Sequence, residues 1–132
     1  MSVTAICAGI AMALPSEGGL ILDHYDMAKD LTERGCEVRI EGNCYSACSM
    51  FTGVEGACVH PEARIWFHQP RDSRTGKKLP TMVTVQAIRI MAQHMPDGMA
   101  QWWINGPSRQ FDGWVTITGA EIINQGWMEK CE

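Results

Sequence analysis

The stretch Cys36-Glu37-Val38-Arg39-Ile40-Glu41-Gly42 constrains the fold more than any other. Apolar and charged residues alternate one by one, so Cys36, Val38 and Ile40 share one face and Glu37, Arg39 and Glu41 the other. Successive side chains of a strand point to opposite faces, which makes this a half-exposed β-strand. Just upstream, Ile21, Tyr25, Ala28 and Leu31 recur at helical spacing over 20–34, and Gly35 suits the C-terminal cap. A helix that runs straight into a strand is the alternation of an α/β chain.

The alternation repeats along the sequence. "AICAGIAMAL" (5–14) has almost no polar residue and predicts one fully buried strand, followed by the turn "PSEGG" (15–19). Asn43 is placed to cap a short helix over 44–53. "EARIWFH" (62–68) is a further strand, with Ile65 and Phe67 opposite Arg64, Trp66 and His68, and a polar loop follows over 69–80. Helical patterns cover 82–95 and 98–104, whose Met91, Met95, Met99, Trp102 and Trp103 suit a core or a subunit interface. "DGWVTI" (112–117) is a last strand; Thr118 and Glu121 form a capping box for a last helix that Gly126 ends. Strands separated by helices predict βαβ units and a mostly parallel sheet in a single domain of 132 residues.

Charge excludes some functions. A net charge of −4 argues against nucleic acid as a partner, because phosphate binding needs a basic face. The one basic run, "RDSRTGKK" (71–78), reads as a solvated loop. No window reaches the roughly 18 apolar residues of a membrane span, so no membrane partner is expected. The apolar N-terminus lacks the positive region of a signal peptide, which favours the cytoplasm. Six cysteines, at 7, 36, 44, 48, 58 and 131, permit bridges, but a chain of this size can build a core without them, and buried free thiols are the expectation. Cys44 and Cys48, four apart, are close enough for a disulfide, and with Cys58 and His60 they would give a zinc-like ligand set of unusual spacing.

The chemistry concentrates in two places. Gly18 and Gly19 stand between a strand and a helix, where a sharp turn can point N–H groups into a cleft. Ser46 falls in the first turn of a helix after a strand, at the edge where open α/β sheets bind ligands. Alone, Ser46 could simply help to cap that helix. His68 at the end of the next strand can reach a neighbouring helix start and accept a serine proton. Ser49 lies a turn further on and reads as packing; His24, His60 and His94 read as structural or solvated.

The ordered pieces "SEGG", "NCYSACSMF", "EARIWFHQP" and "TITGAEIINQGW" span 15–128 and resemble the proteolytic subunit of the Clp protease and its serine-peptidase relatives. The nearest group is the bacterial proteins of this type with a C-x-S-A-C core, matched by Cys44-Tyr45-Ser46-Ala47-Cys48. The resemblance implies an N-terminally shortened spiral of ββα units, shared with the crotonases, around a mostly parallel sheet. It implies an endopeptidase in which Ser46 is the nucleophile and His68 the base. Gly19 and Ala47 would supply the oxyanion-hole N–H groups. Asp112, just upstream of the last strand and helix, would orient His68, with Asp72 as the fallback. It further implies a peptide or unfolded-protein substrate, a homo-oligomer and an unfoldase partner, with no cofactor or metal. The alternatives are a catalytically silent module that binds peptide or protein in the same cleft, and an acyl-CoA enzyme of the crotonase class.

Overall fold

The computed structural model describes residues 2–132. Ala8 and Gly9 both lie at positive φ, 51° and 79°. Two such residues in a row make the hairpin turn whose twist matches antiparallel strands. The single buried strand expected over 5–14 is therefore a hairpin of β1 (Val3–Cys7), which is buried, and β2 (Ile10–Ala13), which is exposed.

That reversal overturns the mostly parallel spiral. Helix α1 (Ile21–Glu33) crosses from β2 to β3 (Glu37–Ile40), and both strands run antiparallel to β1 between them. β3 then pairs in parallel with β5 (Cys58–Val59), and β5 with β8 (Glu129–Lys130), giving the order β2-β1-β3-β5-β8. A second sheet holds β4 (Asn43–Tyr45), β6 (Arg64–Phe67) and β7 (Val115–Thr118), with β4 parallel and β7 antiparallel to the central β6. Each of the three antiparallel ladders runs four residue pairs, whereas the parallel ones run two or three. The fold is a small α/β structure with two mixed sheets.

Several local expectations hold. α1 ends in the closing bonds of a left-handed cap: Gly35 at φ 65° donates to the Thr32 carbonyl and Cys36 to that of Leu31. In β3, Val38 and Ile40 are buried and Glu37 exposed. Helices α2 (Thr81–Gln93) and α3 (Asp97–Asn105) bury Met91, Met99 and Trp103 in the common core with Phe51 and Phe67. Thr118 and Glu121 form the capping box of α4 (Gly119–Asn124).

Two do not. Asn43 caps nothing; it opens β4, its side-chain oxygen accepts from the Trp66 indole, and the helix that follows is a 3-10 helix over Ser46–Gly53. Nor are the thiols free. Cys7–Cys36 bridges β1 to the start of β3, Cys58–Cys131 bridges β5 to the chain end after β8, and Cys44–Cys48 bridges β4 to the 3-10 helix. Topology brings distant cysteines together on adjacent strands, which spacing in sequence does not reveal. The bridges use up the sulfurs of the zinc-like set, and bridges of this kind persist in oxidising compartments. Among the described residues no helix is long and apolar enough to cross a membrane.

Candidate active site

β4 and β6 are parallel neighbours in which Tyr45 pairs with Trp66. The residues that follow them, Ser46 and then His68 one step beyond Phe67, leave the sheet at the same edge. This is the C-terminal edge of two parallel strands, where ligand sites of such sheets form.

Ser46 has φ 52°, in the left-handed region. A residue with a Cβ occupies that region at a cost of about 1–2 kcal/mol, so the surroundings must hold it there. The Cys44–Cys48 bridge does so from two residues on either side, with the Cα atoms 5.4 Å apart. The glycine turn presses from the front. Tyr45 N–H donates to the Ser16 carbonyl at 2.8 Å, and a methyl group on Gly18 would lie 3.3 Å from the Tyr45 carbonyl oxygen and 3.5 Å from Ser46 Cβ. Gly18 and Gly19 both have positive φ, 90° and 137°, so glycine is required there for space and for backbone shape.

Behind this turn stands His24, which is buried. Its Nδ1–H donates to the Leu20 carbonyl at 2.8 Å, and a Cβ on Gly19 would sit 3.2 Å from its ring carbon Cε1. Ala47 is fully buried and second in the 3-10 helix, too early for its N–H to find an acceptor within the helix. Ser49, read as packing, is fully buried, and among the described residues its hydroxyl has no hydrogen-bond partner.

His68 is half-buried. Its Nδ1 lies 2.7 Å from the Gln69 carbonyl. A carbonyl only accepts, so Nδ1 carries the proton and Nε2 keeps its lone pair. Burial holds the His68 pKa below its ordinary value; the Gln69 carbonyl partly offsets this, and Arg71 adds to it. The Trp114 ring packs against the imidazole with centroids 4.4 Å apart.

Ser46, His68, Gly18, Gly19 and Trp114 line one open groove of 790 Å³, walled by Leu20, Leu22 and Val83. Among the described residues no hydrogen bond joins Ser46 Oγ to His68, and Ser46 Oγ has no other side-chain partner that would fix its rotamer. Asp112 lies on an exposed turn, where the Gln110 side chain donates to its main-chain carbonyl, and its carboxylate makes no hydrogen bond to His68. Asp72 borders the groove, but its carboxylate accepts from the Arg74 and Thr75 N–H groups at 2.8 and 3.1 Å, which lower its pKa and brace the 71–78 loop. His60 accepts from the Glu62 N–H, and His94 packs edge-on against Tyr25.

The structure brings Ser46, His68 and the glycines, singled out in the sequence, to one groove, and adds Trp114 and the Gln69 carbonyl, which the sequence did not single out. Trp114 enters through the β6–β7 register, in which Phe67 faces Val115 and the continuation sets Trp114 opposite His68. Comparison with models of known families, with curated proteins and with solved structures finds no match for this chain.

Proposed function

We propose that the protein is a serine hydrolase acting on peptide bonds. Ser46 Oγ attacks the carbonyl while His68 Nε2 takes its proton. The N–H groups of Gly19 and Ala47 receive the oxyanion. His68 then returns the proton to the leaving amine, and water, activated by the same nitrogen, frees the acyl group. The observation that carries this reading is the left-handed Ser46 at the mouth of a groove that it shares with an imidazole whose Nε2 is free to accept. A strained serine between a strand and a helix holds its hydroxyl at the groove, and the reaction requires that rotation about its side-chain bond bring it to the base once substrate is bound. The lowered His68 pKa keeps the base neutral at pH 7.

The groove also favours a kind of substrate. Leu20, Leu22, Val83 and Trp114 line it and remain 53%, 63%, 43% and 46% exposed. Large apolar side chains held open to water in a cleft suit a bulky apolar residue beside the scissile bond.

A fluorophosphonate probe, which labels activated serines, tests the proposal. The folded protein should be labelled, Ser46→Ala should abolish labelling, and His68→Gln should slow it by at least about 10²-fold. Folded protein that resists the probe yet binds peptide in the groove would mark a binding module and refute the enzyme.

A further inference from the structure

We propose that Trp114 is a positioning residue for His68, holding the imidazole together with the Gln69 carbonyl in the role that a carboxylate plays in a serine–histidine–aspartate triad. This rests on the hydrolase reading above.

The geometry begins in the sheet. β6 and β7 are antiparallel with Phe67 opposite Val115, so the next pair outward is His68 and Trp114. Their rings lie 4.4 Å apart at 59°. Trp114 is itself held. It meets Tyr45 edge-on at 5.6 Å and Trp66 at 6.5 Å, and those two rings stack on each other at 5.5 Å. Tyr45 immediately precedes Ser46 in the chain. The aromatic cluster therefore joins the strand that carries the nucleophile to the ring that would deprotonate it.

Two restraints then define the imidazole. The Gln69 carbonyl fixes its tautomer and the rotation of its plane. The indole, packed against the imidazole at 4.4 Å, restricts its swing. No carboxylate shares this task, because Asp112 makes no hydrogen bond to His68, and the Asp72 carboxylate is taken up by Arg74 and Thr75.

Nitrogen-15 NMR of the His68 ring at pH 8 tests this without need of activity. In the wild-type protein Nδ1 should read as protonated and Nε2 as bare. Trp114→Ala, or Trp114→Leu should the alanine variant unfold, should move both resonances toward the tautomer average, and Trp114→Phe should restore them. Probe labelling should fall in parallel, by up to about 10²-fold in Trp114→Ala, the usual scale for a misplaced catalytic group. An unchanged tautomer in both the alanine and the leucine variants overturns the proposal, as does an equal disturbance in Asp112→Asn. If wild-type protein is not labelled at all, the hydrolase reading fails while the NMR arm still decides what holds His68. If wild type is labelled and Trp114→Ala is labelled as fast, only the positioning role fails.

Discussion

The Cys44–Cys48 and Cys58–Cys131 bridges should dissociate stability from reactivity in opposite ways. A bridge stabilises mainly by removing loop-closure entropy from the unfolded chain, an effect that grows with the logarithm of the loop. Cys58–Cys131 closes a sequence separation of 73 and Cys44–Cys48 one of 4. On that scale they are worth about 4.4 and about 1.9 kcal/mol, a difference of about 2.5 kcal/mol. The short bridge, however, brackets Ser46 and its φ of 52°. Without it, Ser46 can relax to an ordinary backbone conformation and release about 1–2 kcal/mol of strain. That shifts the population of the reactive geometry by a factor of about 5–30. The pairs Cys44→Ala/Cys48→Ala and Cys58→Ala/Cys131→Ala should therefore behave differently. Urea denaturation should show the larger loss of stability in the second pair, and fluorophosphonate labelling per folded molecule the larger loss of rate in the first. A first pair labelled at the wild-type rate, or less stable than the second, would show that the short bridge does not hold Ser46.

Gly18→Ala should slow labelling by more than tenfold and cost about 1–3 kcal/mol, since the methyl group meets Tyr45 and Ser46 at a backbone φ of 90°; labelling kinetics and denaturation measure the two effects. The pH–rate profile should fall on the acid side with a midpoint below 6.5, because burial lowers the His68 pKa and only the neutral ring is a base. The same shift, shared by His94, means that the unfolded chain takes up protons at higher pH than the folded one, so stability present above pH 6.5 should decline as pH falls through 6.5, as denaturation at pH 8 and pH 5 will show. Leu22→Asp should reduce kcat/KM for peptides with a bulky apolar residue at the cleaved bond by about tenfold or more and affect those with a small residue less, because Leu22 is a groove wall that is 63% exposed.

What could be read in the residues, and what could not, follows the range of the forces involved. Period and capping are local. Val38 and Ile40, the Gly35 cap and the Thr118–Glu121 box thus appear in the structure as expected. The hairpin at Ala8–Gly9 was hidden because alanine rarely adopts the left-handed conformation that the turn imposes on it, and a continuous apolar run reads as one strand. The error then spread. A missed reversal changes the direction of every later strand relative to β1, so in the five-stranded sheet one two-residue turn separates a parallel arrangement from the mixed one observed; the antiparallel β6–β7 pair of the second sheet is a separate departure. The bridges and the β6–β7 register are tertiary facts with no local trace.

Ser46 shows how a misread helix can still mark a residue of unusual geometry. The notion of a capped α-helix over 44–53 is wrong in its start and in its type, yet Ser46 stands at the head of the 3-10 helix that replaces it. What a regular helix could not have offered is the left-handed serine, and nothing in "NCYSACSMF" announces it. Strain of this kind survives only where several contacts over-determine it. Here they are the bridge on either side, the Tyr45–Ser16 bond and the close approach of Gly18. A fold that needed only a cap could have used Ser46 in relaxed geometry. That three separate contacts converge on one half-buried serine, in a groove it shares with an imidazole whose Nε2 is bare, is the physical ground for the proposal that it reacts.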